Sequence, residues 1–279
     1  AKESQGSSIN FFSEQNSDLL QKRHELTWAS RLSHSVQQGE FQLWCQKIMP
    51  INDNGSNDSH YEILVRLKDK EKLLTPGHFI PTAEKYNLMP GIDRWIIDTT
   101  IKTLSDWHAN NGKNHRIFCS INLSGTSLCE TSLINDIKQI FEQHDYPPEM
   151  ICFEITETAT IAHMGKASQL ISEIRQLGCK FSLDDFGSGL SSFAYLRQLP
   201  VDYLKIDGQF IKDMHVDDIN FAMVSTINSI GDIMGIKTVA EYVESEEVLQ
   251  KLQDIGVDYG QGYAISRPEP FEDMLNKNF

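Results

Sequence analysis

No apolar run in the sequence approaches the roughly 18 uninterrupted residues that a membrane-spanning helix needs, so no helical membrane span is expected. No basic stretch, apolar core and small-residue cleavage site open the chain, so no secretory leader is expected either. Paired cysteines are also missing. The five cysteines (Cys45, Cys119, Cys129, Cys152 and Cys179) are scattered without CxxC spacing, and all but Cys129 lie in or beside apolar runs. They read as buried thiols in a reducing cytoplasm, which excludes a disulfide framework and a cysteine zinc site. The nine histidines show neither HxxxH nor HExxH spacing, which weakens the zinc reading further. Positive charge is scarce: 25 Lys and Arg against 39 Asp and Glu leave a net charge of −14. That balance argues against polymeric nucleic acid as a partner. A small phosphate ligand stays open, provided cations bridge the repulsion. The chain opens on Ala1 and not on Met, as expected of a segment of a longer protein.

What is present is an alternation of short apolar runs with longer amphipathic ones. Residues 1–16 are polar and aperiodic, and residues 1–34 read as a flexible segment and linker helix ahead of one domain over 35–279. Trp28, Leu32 and Val36 form one stripe at i, i+4, i+8, the mark of a helix over about 17–38. Strand-like runs follow at 41–49, 61–67, 116–124, 151–157, 180–186, 202–208, 236–243 and 259–266. Helix candidates at 77–88, 91–110, 126–144, 160–177, 191–198, 217–234 and 245–255 separate most of them. Strands interleaved with helices over about 250 residues predict an α/β fold, a (β/α)8 barrel of the TIM type. A doubly wound open sheet is the structural rival. The connection INDNGSNDSH (51–60) has no room for a helix, so the first two strands are expected to pair antiparallel, a modification of the ideal barrel.

Polar residues recur within or at the ends of these runs: Glu62, Asn122, Glu154, Asp184 with Asp185, Lys205, Glu241 and Gln261. A barrel would gather them at one mouth, where the active sites of such folds lie. Any one of them alone would read as a structural ion pair. Five are carboxylates opposed by one lysine, and two like charges about 4 Å apart repel by roughly 4 kcal/mol at an effective dielectric near 20. Such a cluster needs protons or cations, and oxygen-only donors suit Mg2+ or Mn2+ better than zinc. Adjacent aspartates suit two ions that share Asp184, the arrangement that serves phosphoryl displacement. Strand parity places Glu157 opposite to Glu154, which favours a role in accepting hydrogen bonds from the Gly187–Gly189 loop. The same alternation puts Lys205 and Asp207 on one face, as a pair that would aim the ammonium, and Glu62, Leu64 and Arg66 on another. Arg66 is of a type that holds a non-scissile phosphate.

These motifs resemble the EAL-domain phosphodiesterases of bacterial cyclic di-GMP signalling. The resemblance rests on EILVR (62–66), INLS (121–124), FEITET (153–158), LDDFGSG (183–189), LKIDGQFI (204–211), TVAEYVE (238–244) and GQGYAIS (260–266). It implies hydrolysis of cyclic di-GMP to linear pGpG with two Mg2+ or Mn2+ ions. Glu62, Asn122, Glu154 and Asp184 resemble the ligands of the first ion, and Asp184, Asp185 and Glu241 those of the second. Lys205 resembles the residue that orients the attacking water, with Glu241 as the alternative base. Gln46 and Gln261 resemble positions near water or base, and Glu157 the residue that holds the DDFGSG loop. The family also implies a homodimer and an upstream sensor or GGDEF-like domain. The departures are Ile63 for Ala, Ser188 for Thr, Lys47 for Pro and Tyr242 for Gly. Two other readings remain at this point: a receptor that binds cyclic di-GMP without cleaving it, and a glycosidase using Glu154 and Glu241. The second leaves Asn122, Asp184, Asp185 and Lys205 without a task.

Overall fold

In most of the central strands the outward positions are apolar and the inward ones polar or aromatic, a period of two that suits a sheet covered by helices on one side only. The computed structural model describes residues 17–52, 59–111, 116–189 and 193–277, and the polar opening at 1–16 lies outside them. Helix α1 (Ser17–Gln38) leads into β1 (Phe41–Pro50) and β2 (Ser59–Asp69), and β3 (Lys72–Leu74) folds back on β2. Helices α2 (Ile80–Lys85) and α3 (Met89–Asn111) precede β4 (Ile117–Asn122), and α4 (Leu133–Gln143) precedes β5 (Ile151–Thr156). After α5 (Glu157–Ala162) and α6 (Met164–Gln176) come β6 (Lys180–Phe186) and β7 (Tyr203–Ile206). The chain ends through α7 (Gly208–Ile211), α8 (Asp218–Met234), β8 (Lys237–Ala240), α9 (Glu246–Ile255), β9 (Tyr259–Gly260), β10 (Glu269–Pro270) and α10 (Phe271–Lys277).

The strands close on themselves. The order β1-β9-β8-β7-β6-β5-β4-β2 returns to β1 through a β1–β2 pairing, so the barrel has eight members and the open sheet is excluded. β1 runs antiparallel to both neighbours, with Gln46 opposite Glu62 and Met49 opposite Gly260. The other barrel pairings are parallel. The expected modified barrel is thus the observed one. Outward residues such as Ile63, Ile121, Phe153, Phe181 and Leu204 are buried against Ile97, Ile137, Ile171 and Ile227 of the helix layer. α1 joins this layer: Leu32 is fully buried, Trp28 and Val36 pack on the core, and Arg31 pairs with Asp69 at 2.7 Å. Among the described residues no helix is long and apolar enough to cross a membrane.

Several elements are shorter than the sequence implied. The run 259–266 pairs only over Tyr259–Gly260, because the chain then curls against the segment that follows β8: a Cβ on Gly262 would lie 2.2 Å from the Val243 carbonyl. The 160–177 helix is two helices meeting at His163, whose backbone leaves helical geometry (φ −133°, ψ 39°). The described part of the 191–198 segment is a 3-10 helix over Phe193–Gln198.

Candidate active site

Inside the barrel the polar residues form two layers. The lower one is built from rings: His60, Phe118, Tyr203 and Tyr259 contact one another across the lumen with centroids 4.5–6.1 Å apart. His60 shares a hydrogen bond of 2.9 Å with the Ser120 hydroxyl. Burial, aided by the Lys205 charge, lowers the His60 pKa to about 3, so the ring is neutral.

Two residues further along the strands stands a charged layer. Lys205, on β7, is buried with its Nζ at 2.8 Å from Glu241, 2.9 Å from Glu154, 3.2 Å from Asp184 and 3.4 Å from Glu62. Burial opposes the charge on this amine, but the four carboxylates outweigh it and hold its pKa well above the ordinary lysine value. Asp207 does not pair with it, contrary to the parity expectation. β7 ends at Ile206, and Asp207 leaves the alternation to cap α7, accepting from the Gln209 amide at 2.8 Å.

The adjacent aspartates face one site because β6 is irregular there. Its pairing with β7 shifts register between Leu183 and Phe186, and Asp185 takes a left-handed conformation at φ 53°. This bulge turns what would be opposite faces into one. Asp184, Asp185 and Glu241 each bring an oxygen within 4.8 Å of the other two. Glu154 and Glu62 also pair with Lys205, and the Asn122 amide donates to Glu62 at 2.6 Å. Gln261 donates to Glu62 at 2.6 Å and to Gln46 at 3.3 Å, and Gln46 in turn donates to the Ser266 carbonyl. Above them lies a cleft of about 440 Å³, lined by Gln46, Glu62, Leu64, Arg66, Asp184, Asp185, Glu241 and Gln261 together with Tyr242 and Tyr263. Arg66 lies over the Trp44 ring at 5.5 Å, which fixes the guanidinium at the rim. Asp207 and Glu157 stand outside this lining. Glu157 accepts from the Gly187 amide at 2.9 Å, as its parity suggested, and from the Tyr195 hydroxyl at 2.5 Å.

The electrostatics are out of balance. Burial pushes Glu154 up to about 8, with Glu62 and Asp184 adding to it and Lys205 opposing. Burial also raises Asp185 to about 6, reinforced by Asp184 and Asp207. Glu241 is raised well above the carboxylate range by burial, despite Lys205. Burial alone would raise Glu62 too, but Lys205 and hydrogen bonds from Gln261 and Asn122 bring it below the ordinary value. One ammonium does not neutralise this set. The donors are all oxygen, and the buried Gln261 Oε1 has no hydrogen-bond partner. Both features fit hard divalent cations and the water they carry.

The sequence pattern did not single out Tyr195, Tyr263 or Gly208. Tyr195 lies 38 residues from Glu157, beyond α5, α6, β6 and the loop after it, with no periodicity to connect them. Tyr263 could have been found from its neighbour Gln261.

A protein-family model described as the EAL domain matches residues 29–268. A cyclic di-GMP phosphodiesterase of Shewanella oneidensis, PdeB, is 39% identical over 94% of this chain and 30% of its own length. PdeF of Escherichia coli, also named a cyclic di-GMP phosphodiesterase, is 31% identical over 91% of this chain and 33% of its own. The chain thus spans about a third of the length of these curated relatives. A solved structure titled as a PaMucR phosphodiesterase in complex with c-di-GMP superposes with a TM-score of 0.81 at 28% identity, covering 89% of this chain and 99% of its own. The FimX EAL domain of Pseudomonas aeruginosa, solved bound to c-di-GMP, gives 0.80 at 27% identity, covering 87% and 96%. With this match, and with a closed barrel whose acidic mouth carries the family's motifs, the chain belongs to the EAL-domain family.

Proposed function

We propose that this domain is a cytoplasmic phosphodiesterase that hydrolyses cyclic di-GMP to linear pGpG with two divalent cations, Mg2+ or Mn2+. The observation that carries the reading is the charged layer itself, in which four carboxylates converge on buried Lys205 and Asp185 stands beside them. Glu62, Asn122, Glu154 and Asp184 would hold one ion, and Asp184, Asp185 and Glu241 the other. Bound there, the cations supply an activated water and screen the phosphate charge. Lys205 orients the attacking water from below, kept in place by its own ring of carboxylates. Arg66, packed over Trp44, faces the second, non-scissile phosphate, while Gln46, Leu64 and Gln261 border the nucleotide. Water oxygen bonds to phosphorus, the P–O3′ bond breaks, and the leaving 3′-oxygen takes up a proton, so one water is consumed per ring opened. Glu157 acts at a distance by tying the Gly187 amide and Tyr195 together, which holds Asp185 where β6 ends. A homodimer, and a sensor or GGDEF-like domain elsewhere in the longer protein, belong to the same reading.

Product analysis tests it. Cyclic di-GMP is incubated with the protein and Mg2+ or Mn2+, with and without EDTA. Linear pGpG formed only with metal is the expected result. Intact cyclic di-GMP with measurable binding would make the domain a receptor, and turnover that survives EDTA would overturn the metal reading.

A further inference from the structure

Tyr242 follows Glu241 directly and has a backbone that a tyrosine rarely adopts. Its φ is 52°, in the left-handed region where a side chain costs energy and glycine does not. Such strain persists where the surroundings impose it, and it concentrates at functional sites. The surroundings here are specific. The ring lies on the first turn of α7: a Cβ on Gly208 would come within 2.1 Å of the Tyr242 Cδ2 and 2.6 Å of its Cγ. Lys212 holds its ammonium 4.4 Å from the ring centroid. Residues 208 and 212 are four apart and share one side of the helix, so together they cover one face of the ring. The residue as a whole remains 53% exposed. It lines the cleft beside Asp185 and Glu241.

An aromatic ring with one face backed by a cation and helix backbone, and the rest open beside a phosphate-processing cluster, is a platform for a base. We infer that Tyr242 is a specificity-determining residue whose open face stacks on one purine base of the dinucleotide, with Gly208 and Lys212 fixing the pose of the ring. This inference rests on the proposed phosphodiesterase reading. Gly208 matters because any side chain there would displace the ring. Lys212 matters because a cation over the covered face anchors the ring against the strain of its own backbone.

The experiment is steady-state hydrolysis of cyclic di-GMP by the parent, Tyr242→Phe, Tyr242→Gly, Gly208→Ala and the Tyr242→Gly/Gly208→Ala double variant. Thermal midpoints are measured alongside, and cyclic di-GMP binding is measured in EDTA. Loss of one stacked base is expected to raise KM about ten- to a hundredfold in Tyr242→Gly while kcat changes little. Tyr242→Phe, which keeps the ring, is expected to restore the parent KM. Tyr242→Gly should unfold no earlier than the parent, because glycine accepts this φ without strain. Gly208→Ala should raise KM in the parent and leave it unchanged in Tyr242→Gly, since there is then no ring to displace. A Tyr242→Gly KM equal to or below the parent value overturns the inference and makes the ring a wall of the cleft. An equal Gly208→Ala effect in both backgrounds overturns the pose assigned to the ring. A parent that neither cleaves nor binds cyclic di-GMP overturns the functional reading, and this inference with it; that failure shows in the parent and not in the variants.

Discussion

The two layers inside the barrel are both polar, both buried and a few ångströms apart, yet they are built on opposite terms. The lower layer carries no charge: His60 is neutral, bonds Ser120 and is enclosed by Phe118, Tyr203 and Tyr259. The upper layer gathers Glu62, Glu154, Asp184 and Glu241 on one ammonium and leaves an amide oxygen of Gln261 without a partner. Backbone strain divides in the same way, because Asp185 and Tyr242 at the mouth have positive φ while no described residue of the lower layer does. A fold tolerates polar groups in its interior when they neutralise one another. Where they do not, a ligand is part of the balance.

The sharpest way to break this contrast is Asp184→Asn, which removes charge from the residue shared by both carboxylate groups. Turnover of cyclic di-GMP is expected to fall on the order of a thousandfold, read as pGpG formed per enzyme at saturating Mn2+. An Asp184→Asn variant with parental activity would sink the two-ion arrangement. Lys205→Met comes next. It leaves the carboxylates facing one another, at a cost of about 3–5 kcal/mol of stability in EDTA. Because cations can replace the lost ammonium, its thermal midpoint should rise more steeply with added Mn2+ than the parent's; an unchanged metal response would mean that the carboxylates do not depend on positive charge. Glu157→Gln keeps an acceptor for Gly187 or Tyr195 but weakens both bonds. A fall of about tenfold in kcat is expected, smaller than for Asp184→Asn by direct comparison in one assay. The smallest effect on turnover belongs to the lower layer. His60→Leu leaves the Ser120 hydroxyl without its ring partner and should cost about 1–3 kcal/mol in urea unfolding, with kcat unaltered. A large loss of kcat there would erase the distinction between the layers.

Much of this was legible in the sequence, because strand alternation and repeated polar interruptions survive any detail of packing. Glu62, Glu154, Asp184 and Lys205 fall at the expected parity and do converge. What parity could not give is where a strand stops obeying it. Asp207 leaves the pattern one residue after β7 ends, and Asp185 joins the site only through the bulge in β6. The last strand run was overread because a Gly-containing apolar stretch looks extended until the close approach of Gly262 to Val243 is known. Helix α10 was missed for a different reason. Phe271, Met274 and Leu275 carry the helical spacing, but about two turns give periodicity little to work with.

Closure of the barrel through β1 also has a kinetic consequence. Met49 pairs with Gly260, and Gln261 then reaches Glu62 at 2.6 Å, so the site is completed by partners near opposite ends of the described chain. Contacts between residues so distant in sequence carry a loop-closure penalty before they return any stability, and folds dominated by them form slowly. On dilution from denaturant, helical ellipticity should therefore recover ahead of pGpG formation. The lag between the two signals measures the time the first strand takes to find the last.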